Sequence, residues 1–411
     1  MGALVSPVVT LVRPAIISPL GNSAYSNNNY VGSVIDTSLF TFTRDSTAYL
    51  GSLLYASGVA RTGTDSTWGQ YIEVEEGTTN FYNGITPWAM VKTGTTPTIT
   101  SYTGSDIPGP GLFWSIAYTG DGSAWAGIES GNCQTGMGSL AVGDTVTASG
   151  WYNIPSTGTV TSCGFQVENT SWTASNSSHA TTTFTKDGAW HKYSLTATVT
   201  TACTSYIISD LFAYGYTTDA ITIYCGGFQI EKKGYKTSFL PKLTTRAAEV
   251  IYAPNSYITA STGTIAARFS VDVLTSSIQM IADAAGLSST GLALYVNASG
   301  YLEASYGSGS AQVTVTSTLA VTADTVYDAI LTWSSSGVNL YCAASATGTV
   351  YTATSSTAPS ISLNTNMYFG SNQGTQYFLN GKLYNVVGIG RALSSTEAAA
   401  LIGTSWGVNL I

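Results

Sequence analysis

Lys186-Asp187-Gly188-Ala189-Trp190-His191-Lys192-Tyr193-Ser194-Leu195-Thr196-Ala197-Thr198-Val199 reads as a turn followed by a strand. Asp and Gly are turn residues, the first for its side-chain bonds to nearby backbone and the second for its backbone freedom. The run from Trp190 onward is aromatic and β-branched, which suits a pleated, half-buried surface. The same grammar recurs on both sides. Strand-like runs at 112–118, 145–152, 160–167, 190–199, 204–208 and 220–230 fall at about the 8–12-residue spacing of a β-sandwich. Turns such as Thr119-Gly120-Asp121-Gly122 separate them.

Composition agrees. Only 9% of the 411 residues are charged, against roughly 25% in ordinary globular proteins. Ser, Thr, Asn, Gly and 26 Tyr supply the polarity instead, a poor palette for helices. Hydrophobic residues at 44% exclude disorder, and the length implies two or three domains. A net charge of −8 argues against nucleic acid, whose phosphates demand clustered Lys and Arg. No stretch has the roughly 18 apolar residues of a membrane span. Met1-Gly2-Ala3-Leu4-Val5-Ser6-Pro7 lacks the basic start and apolar core of a secretion signal.

Two phrases bracket the middle third. The first is Thr41-Phe42-Thr43-Arg44-Asp45-Ser46-Thr47-Ala48, followed after a gap by Ile72-Glu73-Val74-Glu75-Glu76-Gly77-Thr78-Thr79-Asn80. The second comprises Phe228-Gln229-Ile230-Glu231, Thr237-Ser238-Phe239-Leu240-Pro241 and Thr244-Thr245-Arg246-Ala247-Ala248. Their order resembles bacteriophage tail-fibre and other virion-surface proteins, in which such phrases flank a carbohydrate-binding-like jelly roll and open a lectin-like domain. Val146-Thr147-Ala148-Ser149-Gly150-Trp151-Tyr152 and Trp190–Thr196 resemble strands of carbohydrate-binding jelly rolls. Further on, Thr264–Phe269, Tyr327–Trp333, Phe378–Val387 and Arg391-Ala392-Leu393-Ser394-Ser395-Thr396-Glu397 resemble a laminin-G/concanavalin-A-like sandwich. Ser394 and Glu397 have the spacing of a capping box for a short helix over 396–402.

The expected fold is all-β, with two antiparallel β-sandwich (jelly-roll) domains in tandem and an extended N-terminal arm. Residues 1–80 read as arm and connector, 81–247 as the jelly roll and 248–411 as the laminin-G-like sandwich. Pro7, Pro14 and Pro19 favour an extended arm, since proline removes backbone donors. Tyr71-Ile72-Glu73-Val74-Glu75 alternates strictly, and its two carboxylates read as a solvated strand face.

No catalytic constellation is visible. GxSxG and HExxH motifs are missing, there are two histidines (His179 and His191), and Asp121, Glu129, Asp210 and Asp219 show no pairing by spacing. His191 reads as structural or solvent-facing. Without a CxxC pair, zinc is not expected. Cys133, Cys163, Cys203 and Cys225 are compatible with two disulfides or with small buried hydrophobes, and Cys342 stands apart. No cofactor is expected. A structural calcium ion is compatible with both resembling folds but has no located site, and Asp121 and Asp283 read as turn aspartates capping their own backbone. Sequons at Asn169, Asn176 and Asn297 carry no weight in so polar a chain.

Glycan binding requires an exposed aromatic face beside hydroxyl or amide partners. Trp125 and Trp172, in or beside polar turns, are the expected glycan-binding residues, with Tyr102 and Tyr118 behind them and Tyr301 and Tyr306 in the second sandwich. Trp151, Trp190 and Trp333 lie in strands whose counterparts in the resembling families are core, and are set aside. The resemblance implies a non-enzymatic phage virion-surface protein that binds cell-surface or environmental glycans. It would be made in the host cytoplasm, attach to other virion proteins through its arm and form a homo-oligomer, trimers being usual for fibres. The alternative is a purely structural decoration protein that binds no sugar.

Overall fold

The computed structural model describes residues 40–402, except 51–52, 58, 85–87, 92–97, 120–125, 130–135, 158–161, 170–177, 203–205 and 215–219, together with three short strands before residue 40. The chain forms two compact units. The terminal unit is built from Met1–Thr47, Tyr55–Gly77 and Ala247–Ile411, and the middle unit from Ala48–Leu54 and Thr78–Arg246. The fold is all-β with antiparallel pairing in every sheet of both sandwiches.

In the terminal unit, one sheet runs Gln312–Ala320, Tyr301–Gly307, Leu292–Val296, Gln279–Gly286, Asn366–Phe369, Val250–Pro254, Thr41–Thr43. The other runs Tyr351–Ser355, Gly337–Ala344, Val326–Ser334, Gly263–Val271, Gly381–Ile389, Gly69–Val74, Thr62–Asp65. Alternate residues of both sheets, including Ile72, Val74, Ile265, Phe269, Leu294, Leu331, Trp333 and Phe369, fill a single core. Each such aliphatic or aromatic chain contributes about 1.5–3 kcal/mol on burial. Thr41–Thr43, Thr62–Asp65 and Gly69–Val74 are thus strands of this sandwich, where the sequence reading placed a connector. Within the N-terminal arm, Ile16–Pro19 lies antiparallel to the far half of Gly381–Ile389, Ile16 opposite Gly388. Apart from this strand, Tyr25–Ser26 and Asn29–Tyr30, the arm falls outside the described residues.

The capping box forms as expected. Ser394 accepts from the Glu397 backbone, Glu397 accepts from the Ser394 backbone at 2.8 Å, and the helix spans Ser395–Leu401. Its Ala398 and Leu401 cover Ala266, Ile330, Val387 and Ile389 on the outer face of the sheet.

The middle unit pairs Thr98–Ser101, Phe113–Thr119, Ala220–Glu231, Thr145–Asn153, Trp190–Thr198 in one sheet. The second sheet runs Trp88–Val91, Ala126–Glu129, Tyr206–Tyr214, Ser162–Asn169, Ser178–Thr183. Trp114, Ile116, Val146, Ala148, Tyr152, Tyr193, Leu195, Ile223, Phe228 and Ile230 form its core. Cys225 is buried there as a free thiol, and Cys342 is free and buried in the terminal unit. Cys133 and Cys203, and the side chain of Cys163, fall outside the described residues.

The quoted phrases, with Arg61 and Glu249 beside them, form two buried hydrogen-bond networks. In the terminal unit Glu249 accepts from Arg44 at 2.7 Å and from Arg61 at 2.7 and 2.5 Å, while Arg61 also reaches Glu75 at 2.7 Å. Both arginines and Glu249 are wholly buried. Glu73 and Glu75 are buried as well, so the solvated face expected for them is corrected: Arg61 supplies the cation that lets Glu75 leave water. In the middle unit Glu231 accepts from Thr78, Gln229 and Thr237 at 2.7–2.9 Å. Asn80 donates to Leu240 O at 2.7 Å and accepts from Ile230 N at 3.0 Å. Each network joins segments distant in sequence, and buried polar groups are tolerable only when so satisfied.

Candidate functional site

The alternation that sends Val146, Ala148, Tyr152, Tyr193, Leu195, Trp114 and Ile223 into the middle core turns their strand neighbours outward. That outer face carries Trp151, Trp190 and Tyr224, all half-buried. The register sets Asn153 opposite both Trp190 and Tyr224 on the two flanking strands, with Trp151 two residues away along its own strand, about 6–7 Å. Tyr102, just past Thr98–Ser101, folds onto the same patch and is held there by its backbone N–H to Phe113 O at 2.8 Å.

The rings form one cluster. Tyr102 and Tyr224 lie 4.6 Å apart between centroids, Tyr102 and Trp190 6.2 Å, and Trp190 and Tyr224 6.3 Å. Phe113, buried beneath, meets Trp190 edge-on at 5.4 Å, one of the arrangements aromatic quadrupoles favour. The Lys192 ammonium stands 4.8 Å over the Trp151 ring.

Asp106 supplies the polar anchor. Its Oδ1 accepts from the Tyr102 hydroxyl at 2.6 Å and its Oδ2 from Trp190 Nε1 at 3.0 Å. These bonds hold the Asp106 carboxyl below its ordinary value, the Tyr102 bond foremost. The same bond pushes the Tyr102 hydroxyl up to about 12. On the other side of the Trp190–Thr198 strand, Asp187 and His191 pair at 2.9 Å, and His191 stacks on the core residue Tyr152. The patch therefore offers ring faces flanked by a carboxylate with acceptor capacity to spare. It can stack on the C–H face of a sugar and accept from its hydroxyls. Among its described residues it holds no nucleophile–base pair.

Of the residues singled out in sequence, Tyr102 belongs to this patch. Trp125 and Trp172 lie outside the described residues, as does the side chain of Tyr118 on Phe113–Thr119. Tyr301 is exposed at the start of its strand, but Tyr306 is core: it is fully buried with its hydroxyl on Ser355 Oγ at 2.7 Å. Trp333 is core too, its Nε1 on Thr259 O at 3.0 Å. Trp151 and Trp190, set aside as core, are corrected to outward-facing. The signal was present: Trp190 shares its face with Lys192, Ser194 and Thr196, whereas Tyr193, Leu195 and Ala197 go inward.

Asp283 caps backbone as expected, accepting from Ala285, Gly286 and Gln373 N. Among the described residues no group of three or more His, Cys, Asp or Glu is placed to hold a metal ion, and no helix is long and apolar enough to cross a membrane.

Residues 244–399 match the family model of the concanavalin A-like lectin/glucanases superfamily. No curated protein matches the chain. Among solved structures it is similar to the CBM40 of the Ruminococcus gnavus IT-sialidase, bound there to alpha2,3 sialyllactose, at 18% identity over 36% of this chain and 84% of that one, TM-score 0.31. It is also similar to mouse laminin alpha1 domains LG4-5, at 10% identity over 83% and 90% of the two chains, TM-score 0.25. A tail fiber protein from an E. coli phage matches at 10% identity over 78% of this chain and 40% of that one, TM-score 0.23. The chain carries a lectin-like β-sandwich.

Proposed function

We propose that this protein is a non-enzymatic, glycan-binding protein of a phage or phage-like virion surface, with its sugar site on the outer sheet face of the middle unit. The observation that carries the binding reading is the half-exposed cluster of Tyr102, Trp190 and Tyr224, tied to the exposed carboxylate of Asp106. Ligand sites pair apolar and aromatic surface with a few placed polar groups, and this patch has both. The virion assignment rests on the order of the quoted phrases, as do the arm's attachment to other virion proteins and the homo-oligomer. Several copies on one particle would turn weak single-site affinity into avidity without any new contact.

A second reading, a particle-cementing role, draws on Tyr351–Ser355 and Gln312–Ala320. Both strands end their sheets, and such edges can pair with another chain.

The test is a glycan array and a whole-cell binding assay on the purified protein beside Trp190→Ala, Tyr224→Ala, Trp125→Ala and Trp172→Ala. Saturable binding lost in the first two variants supports the reading. Loss confined to Trp125→Ala or Trp172→Ala moves the site elsewhere, and no binding by folded wild type leaves the cementing role in front.

A further inference from the structure

We propose that Asp106 is the positioning and specificity-setting residue of this platform, clamping Tyr102 and Trp190 for a neutral, hydroxyl-rich sugar and turning anionic glycans away. The inference rests on the glycan-binding reading and deepens it.

The geometry shows a clamp. Tyr102 follows one edge strand of the sheet and Trp190 opens the strand at its other edge, yet one carboxylate holds both, an oxygen apiece. Two rings from opposite edges are thereby locked at a tilt of 45° to each other. The loop is shaped for this: a Cβ at Gly104 would collide with the Tyr102 ring and hydroxyl and lie 2.5 Å from Asp106 Oδ1. Gly104 is the opening through which the tyrosine reaches the carboxylate.

The chemistry sets the ligand class. An ionised carboxylate has about four acceptor positions and no donor, and the two ring donors occupy two of them. The remainder, on an exposed residue, suit the hydroxyls of a neutral sugar ring stacked on the aromatic faces. The acidic group of a uronate, sialate or sulfate, set beside this carboxylate, adds a like charge that repels it, a cost that a neutral ring with the same hydroxyls does not carry. The Lys192 ammonium stands over Trp151, and Asp187 pairs with His191. Preorganised rings also bind with less ordering cost than free ones.

The experiment compares wild type, Asp106→Asn and Gly104→Ala on an array of neutral, N-acetylated, uronate, sialylated and sulfated glycans. Calorimetry then follows on the best neutral glycan and a carboxylated analogue. Wild type is expected to bind neutral glycans and not anionic ones. Asp106→Asn should weaken the neutral glycan roughly fivefold and narrow the gap to the anionic analogue, a change in preference that loss of structure would not give. Gly104→Ala should weaken the neutral glycan while still rejecting the anionic one. A difference absorbance titration of wild type against Asp106→Asn reads the clamp without sugar: among the 26 tyrosines, the one held up by this carboxylate should ionise at lower pH in the variant. Preferred binding of anionic glycans, or unchanged affinity in both variants, overturns the proposal while glycan binding stands. Wild type that binds no glycan, while the difference titration still shows the clamp, overturns the glycan reading and this inference with it.

Discussion

The outer sheet faces of the two sandwiches are finished in opposite ways. On the terminal unit, Ala266, Ile330, Val387 and Ile389 lie under the helix Ser395–Leu401. Beside them Arg268 grips Asp328 at 2.7 and 3.0 Å, with Trp68 over the guanidinium at 4.7 Å. Every one of these side chains except Trp68 is buried. On the middle unit the corresponding surface carries Trp151, Trp190, Tyr224 and Tyr102 half-exposed, with no helix over them among the described residues. The family match over residues 244–399 falls on the closed face, and the open aromatic face lies outside it. Family match and exposed aromatic face thus fall on different parts of one chain, and a fold does not by itself name a function.

The hardest way to break the terminal unit is through its buried charges. Glu249→Ala would take from buried Arg44 and Arg61 the carboxylate they share, leaving Glu75 to face two cations, and removing one partner of a buried ion network costs about 3–5 kcal/mol. Denaturant unfolding should show that loss in the terminal unit while the middle unit keeps its sugar affinity.

A milder pair of changes sharpens the contrast between the faces. Leu401→Ala uncovers part of the closed face and should cost about 2–3 kcal/mol, because Leu401 is almost fully buried there. Trp190→Ala should cost less stability than that and yet abolish glycan binding. If Trp190→Ala unfolded the middle unit instead, its ring would be core and the comparison would fail.

Alternation made much of this legible. The strands near 145–153, 190–198 and 220–231 were visible as runs between turns, and Ser394 with Glu397 announced the helix start. The open face was readable in principle from Trp190-x-Lys192-x-Ser194, but the resembling families placed that tryptophan inside. Asp106 was not readable, because its meaning depends on two rings from other parts of the chain, 4 and 84 residues away. The burial of the glutamates escapes the sequence for the same reason: Glu75 finds its cation in Arg61 and shares it with Glu249, 174 residues on.

Glu73 adds a pH dependence to the terminal unit alone. Burial, then the neighbouring Asp272 carboxylate, hold its pKa well above the ordinary 4.5. A carboxyl with a raised folded-state pKa contributes stability that is fully present below the unfolded value. That contribution is lost as pH rises through the folded value. The terminal unit should therefore lose stability above pH 4.5, by at most about 1.4 kcal/mol per pH unit from this one proton. Glu73→Gln should flatten that slope, read as the difference between the two proteins' unfolding free energies across the range. Equal slopes would mean that Glu73 is ionised in the folded unit.

The smallest effect concerns what keeps the closed face closed. A seven-residue helix is too short to persist by itself, so packing of Ala398 and Leu401 and the capping box must hold it together. Ser394→Ala removes the cap acceptor and should cost about 1 kcal/mol. Glu397→Gln keeps a side chain able to accept from the Ser394 backbone but loses the ion pair to Arg391 at 2.7 Å. That pair lies between side chains 37% and 40% exposed, and exposed pairs contribute little, so Glu397→Gln should cost only a few tenths of a kcal/mol at neutral pH. Arg391 nevertheless holds the Glu397 carboxyl down to about 2, so its small contribution is present above the ordinary carboxylate range and fades as pH falls toward 2. Hydrogen exchange at Ala398–Leu401 would separate the two contributions. Faster exchange in Ser394→Ala than in Glu397→Gln at neutral pH places the lid's stability in the cap, and the reverse order would place it in the ion pair.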